Sequence, residues 1–352
     1  MNHQEWMLQA LAAADSRLGF CAPNPAVGAV LVSASGDLLS VGCHWACGYD
    51  HAEVDAIKKA GKQSDGATLY VTLEPCNHTG KTPPCTRAII DASIARVYYG
   101  YKDPNLRVLG SGAEVLTASG ISCEYLPSDA VHVFYRSYTH WLKTGLPRFI
   151  AKLAQSKNGV SAKGDGRSLT ITGPEAAAHT AKGRKHADAI LTTVTTVLAD
   201  DPRLNCRLTD RVESRPVYVL DSCLRFPTKA RLLQTAQEVI LVCRDDASMD
   251  EKNWPCSHLR CLPVPYDERG LNWSSVARIL GAEGLHEVWV EVGPTAFQSL
   301  LESGLLSEAI IYQSTNVVEI GLPGIALSHK MLVNAEYEER NLGDDVMYHF
   351  RW

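Results

Sequence analysis

His51, Cys76 and Cys85 offer one imidazole and two thiols, borderline and soft ligands that suit tetrahedral zinc and leave the fourth position to water, as in a catalytic site. They stand in the runs His51-Ala52-Glu53, Thr72-Leu73-Glu74-Pro75-Cys76 and Thr82-Pro83-Pro84-Cys85. Glu53 has no ligand duty in that scheme and is placed to carry protons. A purely structural zinc module would need a fourth protein ligand, and only these three are evident in the sequence.

The elements around these residues must bring them together. Ala52 to Ala60 is rich in helix formers, so His51 falls at a helix start. Residues two apart do not share a helix face. His51 and Glu53 therefore converge only if the metal lies off the first turn, where unpaired N–H groups favour negative charge. Cys85 follows Pro83-Pro84 and precedes Thr86 to Ile90, which puts a second ligand at a helix N-terminus and favours its thiolate. Cys43 and Cys47 around His44 read either as a second metal pair or as structural thiols. His78 and Lys81, between the ligand cysteines, either reach an anionic substrate or are solvated loop residues.

The pattern His-Ala-Glu, Pro-Cys and a further Cys resembles the zinc-dependent nucleobase deaminases. Their general signature has a short spacing between the cysteines, whereas Asn77 to Pro84 intervene here. The longer form Thr-Leu-Glu-Pro-Cys-Asn-His-Thr-Gly-Lys-Thr-Pro-Pro-Cys is similar to the bifunctional riboflavin-biosynthesis deaminase/reductases of the RibD type. Pro23-Asn24-Pro25-Ala26-Val27-Gly28 and Lys102-Asp103-Pro104-Asn105 match that family as well. Two prolines fix the loop around Asn24, so its amide either faces a pyrimidine edge or a phosphate, or closes an Asx-turn. The resemblance implies substrate contact for Asn24 and His44, and Asp103 and Asn105 carry the same pair of readings as Asn24.

Length and composition bound the rest. The chain has 352 residues, long for one core, so two domains are expected. A net charge of -5 argues against a polyanion-binding surface, so no nucleic-acid partner and no nucleic-acid-editing role are expected. The 11 cysteines are odd in number and scattered without a pairing framework, which fits a reducing cytosol. Met1 to Glu5 has no basic region or long apolar core, and no apolar run approaches membrane-spanning length. A cytoplasmic protein without a membrane partner is expected, and homo-oligomerisation stays open.

Hydrophobic periodicity predicts helices at Glu5 to Arg17, Thr86 to Ala92 and Gly112 to Ala118, and strands at Val27 to Val32, Leu38 to Val41, Thr68 to Leu73, Val97 to Tyr101 and Ile121 to Tyr125. Trp141 to Pro147 marks a change of domain, giving 1–145 and 146–352. Beyond it, strands are expected at Arg148 to Ala154, Ala189 to Val194, Pro216 to Leu220, Glu238 to Val242, Glu287 to Val292 and Glu308 to Tyr312, with helices at Pro174 to Lys185 and Ala296 to Leu305. Both halves are α/β. Glu291-Val292-Gly293-Pro294-Thr295 runs from a strand through glycine into a helix, a geometry that either receives a phosphate or is a plain tight turn; no G-x-G-x-x-G is present.

The second half also resembles the reductase half of the RibD type, at Ala151-Lys152-Leu153-Ala154, Thr192 to Pro202, Leu220-Asp221-Ser222 and Glu291 to Thr295. The resemblance implies a cytidine-deaminase-like three-layer domain followed by a dihydrofolate-reductase-like domain that uses NADPH. It implies that Ala154, Thr170, Thr196, Asp200, Ser222, Gly293, Pro294 and Thr295 line the cofactor, and that Ser168, Arg184, Leu204, Arg207 and Glu291 contact the substrate. Arg184 and Arg207 suit a phosphate because guanidinium grips oxyanions bidentately; otherwise they are solvated surface arginines. Asn158 replaces the family's usual Asp, Thr170 a common Trp, and Ser314 to Glu319 a Pro- and Gly-containing loop.

The expected activity is zinc-dependent hydrolytic deamination of 2,5-diamino-6-(5-phosphoribosylamino)pyrimidin-4-one, then NADPH reduction of the ribosyl group to ribityl. The alternative is a deaminase whose reductase domain is degenerate or differently specific.

Overall fold

Alternation along each strand builds the first sheet. In the computed structural model, which describes residues 1–80, 82–105, 111–163, 171–208, 210–247, 258–267 and 270–352, the chain divides into compact units Met1–Thr144 and Gly145–Trp352. Strands β1 (Gly28–Val32), β2 (Leu38–Cys43), β3 (Thr68–Val71), β4 (Arg96–Tyr99) and β5 (Ser122–Tyr125) of the first unit lie in the order β2-β1-β3-β4-β5. The pairs β1–β2 and β1–β3 are antiparallel; β3–β4 and β4–β5 are parallel. Ala29, Leu31, Leu69, Val71, Val97 and Tyr99 are buried on one face, and Val30, Val32, Tyr70 and Tyr98 on the other. Both faces are covered, which makes three layers.

Helix α1 (His3–Asp15) covers the second face and starts from a capping box between Asn2 and Glu5. Helices α2 (Ala52–Ala60), α3 (Cys85–Asp91) and α4 (Ser111–Ala118) belong to the first face. Two helices were not anticipated, α5 (Asp129–Phe134) and α6 (Arg136–Thr144). The latter runs through Trp141, where the sequence reading placed the start of a domain change, and gives way to Gly145 in the left-handed region (φ 71°).

The second unit is built on β6 (Arg148–Gln155), β7 (Ala189–Thr193), β8 (Val217–Leu220), β9 (Val239–Arg244), β10 (Leu259–Val264), β11 (Glu287–Glu291), β12 (Leu306–Gln313), β13 (Glu336–Leu342) and β14 (Asp345–Arg351). These form one nine-stranded sheet, β10-β9-β8-β7-β11-β6-β12-β14-β13. From β10 to β12 all neighbours are parallel, and the hairpin β13–β14 adds antiparallel to β12. Both faces of the parallel part are buried, Phe149, Ala151 and Leu153 on one and Ile150 on the other, which is why these strands read as near-continuous apolar runs. At the two edges, β10 carries Pro263 and β13 exposes Glu336 to Asn341.

Helices α7 (Pro174–His186), α8 (Val194–Asp200), α9 (Trp273–Ala282) and α10 (Pro294–Glu302) pack on this sheet. A Cβ on Gly183 of α7 would lie 2.3 Å from the Trp289 ring, so glycine is what lets α7 rest against β11. The fully buried Arg215 closes the far end of α7 by donating from Nη2 to Lys185 O (2.6 Å) and from Nε to Ala187 O (3.2 Å). No helix among the described residues is long and apolar enough to cross a membrane.

Candidate functional site

Helix α2 begins where the first site begins. His51 is its N-cap in extended conformation (φ -71°, ψ 161°), and Glu53 stands in its first turn. A Cβ on Gly42 of β2 would lie 2.3 Å from Ala52 O and 2.5 Å from Ala56 N, so the bare backbone of Gly42 draws this helix start onto the sheet. Cys85 opens α3 behind Pro84, and its backbone N–H donates to Cys76 Sγ at 3.4 Å. Two helix N-termini and the loop after β3 thus converge on one point.

The donor atoms of His51, Cys76 and Cys85 lie within 4.8 Å of one another. His51 Nδ1 is 3.1 Å from Cys85 Sγ and 3.5 Å from Cys76 Sγ. A tetrahedral zinc with ordinary bond lengths separates nitrogen and sulfur ligands by roughly 3.5 Å. The set therefore fits zinc in both chemistry and spacing. Hydrogen bonds from the Cys85 thiol and backbone N–H lower the pKa of the Cys76 thiol, while the same thiol contact and burial raise that of Cys85. A hydrogen bond with Cys76 in turn raises the His51 imidazole to about 8, against the opposing effect of burial. On the ring's other side Nε2 meets Thr82 Oγ1 at 3.2 Å.

Glu53 is buried, and burial pushes its carboxyl up to about 7, with His51 pulling it down and Cys76 adding to the rise. It opens with His51 and Cys76 into a cavity of about 300 Å³. Asn24, His44, His78, Asp103 and Asn105 line that same cavity. His44 Nδ1 donates to Asp50 O (3.0 Å), which leaves Nε2 to accept from the Asn24 amide at 3.1 Å; burial lowers the His44 pKa and keeps the ring neutral. Asp103 accepts from Asn105 N–H at 2.9 Å, so the Asx-turn and the cavity wall are one structure. Burial raises the Asp103 carboxyl to about 6. Lys81 lies outside the described residues.

Among the cavity residues to which sequence reasoning gave no role are Glu74 and Tyr138. Glu74 lay inside a quoted motif but was given no role; it is buried and accepts from Ala113 N–H at 3.4 Å. Tyr138 comes from α6, distant in sequence, and hydrogen bonds with Asp103 and Asn105. No local pattern marked it.

In the second unit the cofactor candidates gather along one edge. Ala154 is near the end of β6, Thr196 follows β7, Ser222 follows β8, and Gly293, Pro294 and Thr295 follow β11. Those strands are parallel, so all of these residues stand at the carboxyl ends of one sheet, the usual place for a ligand in such folds. Gly293 is the N-cap of α10, and a Cβ there would meet nothing within 4 Å. Asp200 is the exposed last residue of α8. Ser168 and Thr170 lie outside the described residues.

Two substrate candidates need correction. Arg184 is not an open phosphate fork: Nε and Nη2 donate to the two oxygens of Glu291 (2.5 and 2.9 Å), and Nη1 donates to Asn205 O (3.0 Å). Leu204 packs its side chain in the core, so only its backbone, bent to φ 45°, can face a ligand. Arg207 is exposed. Glu291 also accepts from Trp289 Nε1 (2.9 Å) and has Lys152 Nζ at 3.7 Å. The departures at Asn158 and at Ser314 to Glu319 meet in the structure. Asn158 Nδ2 donates to Val318 O (2.8 Å) and its Oδ1 accepts from Val318 N–H (3.1 Å), and an aspartate could not make the first bond.

Comparison with known proteins finds one family match in each compact unit. Residues 1–101 match the cytidine and deoxycytidylate deaminase zinc-binding region, and residues 147–318 match the RibD C-terminal domain. The chain is 33% identical to the riboflavin biosynthesis protein RibD of Escherichia coli over 99% of both chains. It is 39% identical to that of Mycobacterium tuberculosis, over 82% of this chain and 78% of the relative. Among solved structures, RibD of Acinetobacter baumannii superimposes with a TM-score of 0.83 at 28% identity, over 99% of this chain and 98% of the other. A diaminohydroxyphosphoribosylaminopyrimidine deaminase/5-amino-6-(5-phosphoribosylamino)uracil reductase of Thermotoga maritima does so at 0.81 and 27% identity, with the same coverage. Matched along nearly its whole length and in both halves, the chain belongs to the RibD family of bifunctional riboflavin-biosynthesis enzymes.

Proposed function

We propose that residues 1–145 deaminate 2,5-diamino-6-(5-phosphoribosylamino)pyrimidin-4-one and that residues 146–352 then reduce its ribosyl group to ribityl with NADPH, in the cytoplasm and without a nucleic-acid or membrane partner. The carrying observation is the convergence of His51, Cys76 and Cys85 with the buried Glu53 at one cavity that also holds Asn24, His44 and Asp103. The two activities named together for the Thermotoga relative support the pairing.

His51, Cys76 and Cys85 would hold the zinc, which when bound supplies a Lewis acid able to make water acidic near neutral pH. Glu53 accepts the water proton on its carboxylate and returns it to the departing amine, and burial, which raises this carboxyl, favours its taking up a proton. Asn24 and His44 hold each other and orient the pyrimidine edge. In the second unit, NADPH supplies hydride to the sugar. Ala154, Thr196, Ser222 and Gly293 to Thr295 place it along the carboxyl edge, and the family resemblance adds Thr170 and Asp200 to the cofactor contacts. Arg207 suits the substrate phosphate, Ser168 and Glu291 contact the substrate, and Arg184 fixes the Glu291 carboxylate.

The test is an assay on purified, zinc-replete protein that follows ammonia release and NADPH oxidation separately. Ammonia with stoichiometric NADPH loss is expected. Ammonia alone would reduce the chain to a deaminase, and neither signal would sink both assignments.

A further inference from the structure

Asn24 and His44 belong to two segments, Arg17 to Pro25 and His44 to Asp50, that meet a second time outside the cavity. There the Arg17 guanidinium packs on two rings, 4.7 Å from the centroid of Phe20 and 4.6 Å from that of Trp45. Its Nη2 donates to the Trp45 carbonyl at 2.7 Å. Beside it the Cys21 thiol donates to the His44 carbonyl at 3.1 Å. At the far end of the loop Asp50 is tied to Lys58 of α2 (2.6 Å), and its carbonyl accepts from His44. Between these anchors runs a turn closed by Tyr49 N–H on Ala46 O (3.0 Å), and Cys47, Gly48 and Tyr49 of that turn form cavity wall.

Arg17 and Trp45 themselves stand outside the lining. A planar cation packed on two rings and bonded at its rim fixes distance and tilt together, which a flexible ammonium does not. Arg17 Nε is buried without a hydrogen-bond partner, so the guanidinium is held by the rings and the Trp45 carbonyl at some cost rather than drifting to solvent.

We propose that Arg17 is a positioning residue for the deamination. By clamping Trp45 it sets the spacing between the Asn24 loop and the His44–Asp50 loop, and so fixes the wall against which the substrate ring binds. The inference rests on the deaminase reading above. Its effect falls on binding rather than on proton transfer, since Glu53, Cys85 and Cys76 sit on α2, α3 and the loop after β3, and Asp50, tied to Lys58 of α2, separates the turn from His51.

The full chain supplies its own control, because the same molecule carries a second activity. In zinc-loaded protein, R17A and W45L should raise the deaminase KM by about ten-fold or more, with kcat changed less than about two-fold. Zinc content and the reductase KM and kcat should stay at wild-type values. R17K, which keeps the charge without the planar fork, should recover part of the loss. An unchanged deaminase KM in both R17A and W45L overturns the proposal, as does a parallel loss in both activities, which would mark a purely structural clamp. If R17A does not fold, W45L decides. A wild-type chain that releases no ammonia from the substrate overturns the deaminase reading instead, a result visible before any variant is compared.

Discussion

Glu53 and Glu291, one in each unit, are nearly equally buried, at 3% and 8% exposure, and their carboxyls move in opposite directions. Burial lifts Glu53 to about 7, with His51 only partly offsetting it and Cys76 adding to the rise. Burial acts on Glu291 as well, yet Arg184 and Lys152 overcome it and hold the carboxyl at about 2. Burial alone thus does not decide what a carboxyl can do; the cations built around it do. One glutamate is poised to exchange protons near neutral pH, and the other is a fixed anion that organises its neighbours.

The sharpest way to break the contrast is E53Q, which keeps the shape and removes the proton carrier. Deaminase kcat should fall by about 10²–10⁴-fold while reductase kinetics persist, measured as ammonia release and NADPH oxidation on one preparation. Wild-type ammonia release in E53Q would remove Glu53 from the proton path.

E291Q attacks the other side. It leaves the buried Arg184 without its anion and should destabilise the second unit by about 3–5 kcal/mol, read from denaturant unfolding. The pH dependence sharpens this. Because the folded carboxyl titrates below its unfolded value, its contribution is complete above about pH 4.3 and is lost as pH falls toward about 2. Wild type should lose stability along that limb, and E291Q should lack this component. Identical acid limbs would show that the pair is not holding the fold.

The smallest expected effect is N158D. Replacing the amide by a carboxylate removes the donor to Val318 O and should cost about 1 kcal/mol, seen as faster hydrogen exchange around Val318. Unchanged exchange there would mean that the loop is held by other contacts, such as Lys157 N–H on Asn316 O.

The same contrast explains what could be read from sequence. The first site was legible because its chemistry is local: His51, Glu53, Cys76 and Cys85 lie in short motifs whose residue types admit few readings. Tyr138 was not, since it reaches the cavity only through the packing of α6, and no spacing rule connects it with Asp103. In the second unit, six of the nine strands of the large sheet announced themselves as apolar runs, and β10 did not. The Arg184–Glu291 pairing did not, because which cation meets which anion depends on α7 lying against β11 through Gly183. Helix α9 and the hairpin β13–β14 went unread for different reasons. The first was hidden in a mixed stretch, and the second exposes a charged strand with no alternation to betray it.

That charged strand has a consequence for how the protein survives its own synthesis. A largely parallel sheet pairs residues far apart in sequence, so it forms slowly and leaves strand edges open while it does. An open edge recruits other chains. Here one margin ends in Glu336, Glu338, Glu339 and Arg340 and the other carries Pro263, so a second molecule approaching either edge meets ionised side chains or a missing N–H. The sheet is finished at both sides by chemistry that discourages a tenth strand, which protects it against aggregation without involving either active site.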